Sequence, residues 1–162
     1  TACPHCFNTI KNEYKDFGGS YEVFHHSQFI ASLIKDGKLK PTKGVDESIT
    51  FHDSCYLGRW NNVYEQPRAV IESIPSARLV EMKQNRDSGM CCGAGGGRMF
   101  MEEHIGKRIN ITRTEQALET HAGIVASSCP FCMTMMTDGV KSKEMLDKVK
   151  VMDIAELLDN AT

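Results

Sequence analysis

Five cysteines, Cys55, Cys91, Cys92, Cys129 and Cys132, fall in the pattern C-x35-CC-x36-C-x2-C, with Gly93 directly after the adjacent pair. Thiolates are soft ligands that favour iron–sulfur clusters, zinc or copper(I). A fold in which these five share one centre must draw three distant segments to a point. That requirement constrains the chain more than any hydrophobic run. The five are read as one metal-binding site and the rest as its scaffold.

The hydrophobic pattern supplies a fold that can meet the requirement. Residues 48–52, 78–82, 123–127 and 149–152 are short runs rich in Ile or Val, bounded by turn residues, and read as strands. Helical patterns lie between them. One covers about 66–74, with Pro67 at an early helix position. One covers about 98–120, where Met101, Ile105, Ile109 and Thr112 recur at helical spacing. A third covers about 133–147, with Gly139 as a weak point. The alternation predicts an α/β fold, a Rossmann-like parallel sheet with flanking helices. Cys55 follows the first strand, Cys129 follows the third, and Cys91 and Cys92 lie in the loop after the second. Ligands of open parallel sheets bind beyond the carboxyl ends of the strands. The cysteine loops are therefore expected at that edge.

Adjacent side chains diverge in ordinary extended geometry, so Cys91 and Cys92 suit a cluster of several irons only if the backbone turns sharply. Gly93, Gly95, Gly96 and Gly97 allow positive φ and close approach to sulfur. Free amides at the start of the following helix would stabilise thiolates and sulfide.

These motifs carry a family resemblance. Cys55, Cys91-Cys92-Gly93 and Cys129-Pro130-Phe131-Cys132 resemble the cysteine-rich CCG domain of the heterodisulfide reductases. The wording His52-Asp53-Ser54-Cys55 and Gly93-Ala94-Gly95-Gly96-Gly97-Arg98 looks closest to bacterial iron–sulfur oxidoreductases thought to link electron-transfer flavoprotein to quinone. The resemblance implies an iron–sulfur cluster of 4Fe–4S type, cubane or non-cubane, with zinc as a substitute. It implies an oxidoreductase domain that relays electrons toward quinone or reduces a disulfide at the cluster. The implied partners are other domains or subunits of a redox complex, electron-transfer flavoprotein and a quinone-linked membrane domain. The implied location is cytoplasmic, or the cytoplasmic face of a membrane through the parent protein. No catalytic residue is assigned.

Cys3-Pro4-His5-Cys6 mirrors Cys129-Pro130-Phe131-Cys132 at an offset of 126 residues. At that offset Ser27 falls on Asp153, and each is expected to cap a helix, over about 28–35 and 154–160. Residues 1–39 are read as the tail of an upstream copy of the domain, with Cys3 and Cys6 as part of its site. Residues 40–47 are a linker and 48–162 the complete domain. The opening Thr1-Ala2-Cys3, without Met, suggests a piece of a longer protein.

The same residues admit other readings. An odd cysteine count, an adjacent pair and two C-P-x-C motifs argue against a secreted disulfide framework. A zinc module and a thiol–disulfide exchanger at Cys129–Cys132 remain open alternatives. The stretch from Gly93 lacks the last glycine of a dinucleotide fingerprint, since Arg98 stands there. His52-Asp53-Ser54 is not expected to act as a triad, because consecutive side chains alternate in direction; Asp53 and Ser54 are assigned to the loop presenting Cys55. His25-His26 is placed at a strand end, in a surface or packing role. Met90, Met99, Met101, Met133, Met135 and Met136 are read as packing around the site. Arg98, Lys107, Arg108 and Arg113 are read as a solvated helix face. The net charge of −2 gives no footprint for nucleic acid.

Overall fold

A computed structural model describes residues 1–162. The sheet consists of β1 (Ser48–His52), β2 (Arg78–Leu79), β3 (Ile124–Ser127) and β4 (Lys150–Asp153). All pairings are parallel, and the spatial order is β2-β1-β3-β4. The chain leaves β1 toward one edge and returns to β3 on the other side. The switch point of the sheet is therefore the gap between β1 and β3. Cys55 and Cys129 follow these two strands.

The helices are α1 (Pro4–Asn8), α2 (His26–Lys35), α3 (Glu65–Glu72), α4 (Ile109–Leu118), α5 (Pro130–Ser142) and α6 (Ile154–Asp159). Alternation along the strands divides the core between the two faces. Ile49, Phe51, Ile124 and Ala126 pack with Val70, Ile71 and Ile74 from α3 and its end, and with Leu157 and Leu158 of α6. Val125 faces the other way, onto Ala117 of α4, Met136 and Val140 of α5, and Met82. The predicted Rossmann-like α/β sheet with flanking helices is the fold of this chain.

Several boundaries move for identifiable reasons. The long helix expected over 98–120 is absent. Residues 95–100 form a 3-10 coil containing left-handed Gly96 and Gly97, and Gly106 is also left-handed. The helix begins only at Ile109, and Ile105 is 98% exposed. A helical recurrence of apolar residues did not outweigh positive-φ Gly106 inside the span and Gly96 and Gly97 just before it. The second strand stops at Leu79, because Met82 turns down into the core beside α4 and α5.

Helix α5 starts earlier than its pattern suggests. Cys129 is its extended N-cap (φ −152°, ψ 124°), and Pro130 occupies the first turn. Cys3 and Pro4 open α1 in the same way. Gly139 is not a weak point but a contact. A Cβ there would meet Thr114 Oγ1 at 2.0 Å and the Asn110 carbonyl at 3.2 Å, so glycine lets α4 and α5 pack closely.

Asp153 caps α6 as expected, with Glu156 completing the reciprocal pair. The cap of α2 is His25 rather than Ser27. Its ring accepts from the Ser27 amide, and Gln28 reaches back to the His25 amide. His25-His26 is therefore a helix start, not a strand end; His25 is buried and His26 pairs with Asp153 at 3.0 Å. Residues 1–39 pack on the remainder through Phe7 against Leu57 and Val63, and through Ile30, Ala31 and Ile34 of α2.

Candidate metal centre

The sheet brings all five predicted cysteines into one connected set. Cys91 neighbours Cys55 and Cys92, Cys92 neighbours Cys132, and Cys132 neighbours Cys129. Cys92, Cys129 and Cys132 are buried, while Cys55 and Cys91 are half-buried. Ala94, Met99 and Met135 pack against the group. Of the six methionines expected there, Met136 belongs instead to the sheet core, and Met101 is 59% exposed.

Cys3 and Cys6 form a separate pair of neighbouring thiols. The His5 ring has Nδ1 3.8 Å from Cys3 Sγ and lies 4.3 Å from Tyr56 and edge-on to Phe131 at 5.3 Å. A cleft of about 310 Å³ opens there, between His5, Phe100, Phe131 and the turn at Gly95–Gly97.

The local backbone explains how adjacent cysteines serve one place. Gly93 has φ +92°, and a Cβ would press on the Asn110 amide and Ile109 Cβ, each at 3.2 Å. It turns the chain directly after Cys92 and lets the loop sit against the first turn of α4. Gly95 does not need positive φ. At Cys91 the expected amide donors are present, but they come from the turn rather than from the long helix that was expected to follow it. Gly93 N–H donates to Cys91 Sγ at 3.3 Å.

The thiols are electrostatically unequal. Neighbouring Cys55 and Cys92 thiols, with the amides of Gly93 and Gly95, hold Cys91 far below the usual thiol range. Cys55 is pushed up by the neighbouring Cys91 thiol and by burial. Although Cys132 favours the Cys92 thiolate, Cys91 and burial push Cys92 up to about 12. Cys129 is lowered to about 7 by the Cys132 thiol, helped by the first amides of α5. The neighbouring Cys129 and Cys92 thiols and complete burial push Cys132 upward. One protein environment thus favours two thiolates and resists the remaining three. A bound cation would offset that resistance, since metal ligation deprotonates thiols.

Two charged side chains missed by the sequence reading support the site. Arg68 holds Asp53 through both carboxylate oxygens and also pairs with Glu81. Asp53 accepts the Arg86 amide as well, at 2.7 Å. Asp53 thus anchors the end of β1 just before the Cys55 loop, whereas the Ser54 hydroxyl assigned to the same loop has no hydrogen-bond partner in the protein. Arg113 is the larger correction: it is fully buried, not on a solvated face. Its guanidinium donates to His52 Nδ1, the Gln84 carbonyl and the Gln116 side chain, none of them anionic. Burial pulls Arg113 below its usual range, while charge on Asp53, Cys132 and Cys92 opposes that pull. The helical period around Thr112 placed Arg113 on a helix, but only the packing of α4 determines which side is inside.

His52 is equally buried, and burial with the nearby Arg113 cation pushes its pKa down to about 3. Its ligand-type nitrogen and the sulfurs of Cys92 and Cys132 lie within 4.8 Å of one another. His52 Nε2 and Arg113 Nη2 have no hydrogen-bond partner in the protein. His52 and Asp53 therefore diverge to Arg113 and Arg68, which rules out a hydrolase triad. Buried unpaired donors beside sulfur, a buried cation without an anion and a soft donor set together fit an anionic thiolate-bound metal group.

The chain is 55% identical to the probable iron–sulfur-binding oxidoreductase FadF of Bacillus subtilis, over 98% of its own length and 22% of that protein. It is 46% identical to the EtfAB:quinone oxidoreductase of Syntrophomonas wolfei, covering 96% of this chain and 23% of the relative. It is 37% identical to one subunit of the dihydromethanophenazine:CoB–CoM heterodisulfide reductase of Methanosarcina barkeri, covering 99% and 39%. The chain thus spans between about a fifth and two-fifths of these relatives. No helix is long and apolar enough to cross a membrane. The model of the cysteine-rich CCG domain matches residues 49–137, a span that holds all five clustered cysteines, and the chain belongs to that family.

Proposed function

We propose that this chain is an iron–sulfur cluster-binding part of an oxidoreductase that relays electrons, with quinone as the final destination. The observation that carries the reading is the continuous set of five thiols at the switch point of the sheet, beside a buried guanidinium with no anionic partner. Cys55, Cys91, Cys92, Cys129 and Cys132 are the ligands, and Gly93 shapes the loop that presents two of them. Five thiolates exceed the four positions of a tetrahedral zinc site. A bound cluster of 4Fe–4S composition supplies one-electron chemistry, at a potential set by cluster charge, hydrogen bonds to sulfur and exposure.

The protein's own residues hold and shield that centre. Gly93 and its neighbours give amide hydrogen bonds to sulfur. Met99 and Met135 exclude water on the inner side. The cleft beside His5 and Phe131 is the route by which a redox partner approaches. The relationship to an EtfAB:quinone oxidoreductase supports electron-transfer flavoprotein as the donor, in the full-length protein. The first 39 residues are the end of an upstream repeat whose Cys3 and Cys6 belong to a second site.

Anaerobic isolation followed by iron, acid-labile sulfide and zinc analysis tests the reading. Iron with roughly equal sulfide and broad visible absorption is expected. Serine at any one of the five cysteines should lower or distort that signal, while serine at Cys3 or Cys6 should leave it. Colourless protein with tightly held zinc, or loss of iron on changing Cys3, would overturn the assignment.

A further inference from the structure

We propose that His52 is a positioning residue of the cysteine centre: Arg113 fixes its tautomer, so that Nε2–H donates a hydrogen bond to the sulfur beside Cys92 and Cys132. The inference rests on the iron–sulfur reading for its consequence, but its geometry stands on the protein alone.

Arg113 Nε is a donor only, and it lies 3.0 Å from His52 Nδ1. Nδ1 must therefore accept, which excludes both the Nδ1–H tautomer and the imidazolium. The single ring proton then resides on Nε2. That atom is buried and has no partner in the protein, while the sulfurs of Cys92 and Cys132 lie close to the ring. Histidines that ligate metal through one nitrogen normally donate a proton from the other. Here the other nitrogen receives one, so His52 is built to donate to sulfur rather than to bind the metal.

Arg113 adds a second effect. Its partners at His52, Gln84 and Gln116 are uncharged, and Nη2 remains unpaired in the interior. A buried cation that bonds no carboxylate directly is costly. An anionic cluster provides the missing charge. Hydrogen bonds and positive charge both favour the more negative, reduced state of such a centre. The His52–Arg113 pair should therefore raise its potential, in addition to stabilising its assembly.

Two measurements test this. In metal-free protein, 15N spectra of the histidine rings should show His52 protonated at Nε2 and bare at Nδ1; the opposite tautomer overturns the proposal whether or not a cluster is present. In the iron-loaded protein, His52→Leu should lower the one-electron reduction equilibrium about tenfold, which corresponds to about 59 mV. His52→Gln, which keeps an amide donor, should recover most of that loss. A purely structural role would lower stability in both variants and leave the potential unmoved, and that result would overturn the idea. Strong 14N hyperfine coupling from a directly bound His52 would overturn it too. Absence of iron from wild-type protein would instead refute the iron–sulfur reading, leaving the tautomer measurement to decide the geometry.

Discussion

Arg68 grips both carboxylate oxygens of Asp53, at 2.8 and 2.9 Å, two residues before Cys55. Both side chains are almost completely enclosed. The pair ties the end of β1 to α3, and through Glu81 to the segment after β2. A cysteine loop at a strand end is thereby anchored on two sides.

Removing Asp53 should be worse than the pair's net contribution, because it leaves the buried Arg68 cation with Glu81 as its one bonded carboxylate and the Arg86 amide without its acceptor. Asp53→Asn is expected to destabilise the chain by about 3–5 kcal/mol. Urea denaturation of the metal-free protein measures this. A change below about 1 kcal/mol would show that the loop is held by other contacts.

Gly93 and Gly139 should fail in different ways. Gly139→Ala drives a methyl into Thr114 and should cost about 1–3 kcal/mol, without altering metal content per folded molecule. Gly93→Ala strains a turn at φ +92° directly after the Cys91-Cys92 pair, and should lower metal content more than stability. Metal analysis of the two purified proteins beside their denaturation midpoints separates the effects. Equal metal occupancy would remove the role assigned to Gly93.

Phe7 is completely buried against Leu57 and Val63. Phe7→Ala should cost about 3–5 kcal/mol, by the usual loss of transfer energy plus a cavity. Iron content per folded molecule should not change, since the five cysteines make no use of Phe7. Unchanged thermal unfolding would mean that the amino-terminal segment is only a tail.

His25 gives a signed pH dependence. Burial, with His26 and the amino terminus nearby, pushes its pKa to about 3 from an ordinary 6.5, and Asp153 opposes the shift. Between those values the unfolded chain binds a proton that the folded chain refuses. The stability contribution is complete above pH 6.5 and is lost as pH falls toward 3. The slope reaches about 1.4 kcal/mol per pH unit for this group. His25→Asn, which keeps a capping side chain, should flatten the stability profile of the metal-free protein by one proton. A slope identical to wild type would contradict the assignment.

That the five cysteines gather at one edge of the sheet was legible in the sequence because its evidence is local. Strand-like runs ending just before Cys55 and Cys129, and Cys-Cys-Gly after the second run, place all three loops at one edge of a parallel sheet. The matched C-P-x-C motifs were legible for the same reason, since Pro at the first helical turn acts through its own φ. The supporting charges were not. Arg113 looks like any helix-surface arginine, and its burial is decided by how α4 lies on α5, which depends on Gly139 being small enough for close approach. His52 likewise reads as a strand-end residue, and its tautomer is set by an arginine 61 positions away. The sequence by itself determined which atoms can ligate and at which edge of the sheet they gather, because backbone preference and residue chemistry act over a few residues. Only the tertiary structure decided which charges are enclosed with them, because burial and hydrogen-bond partners are properties of elements packed together.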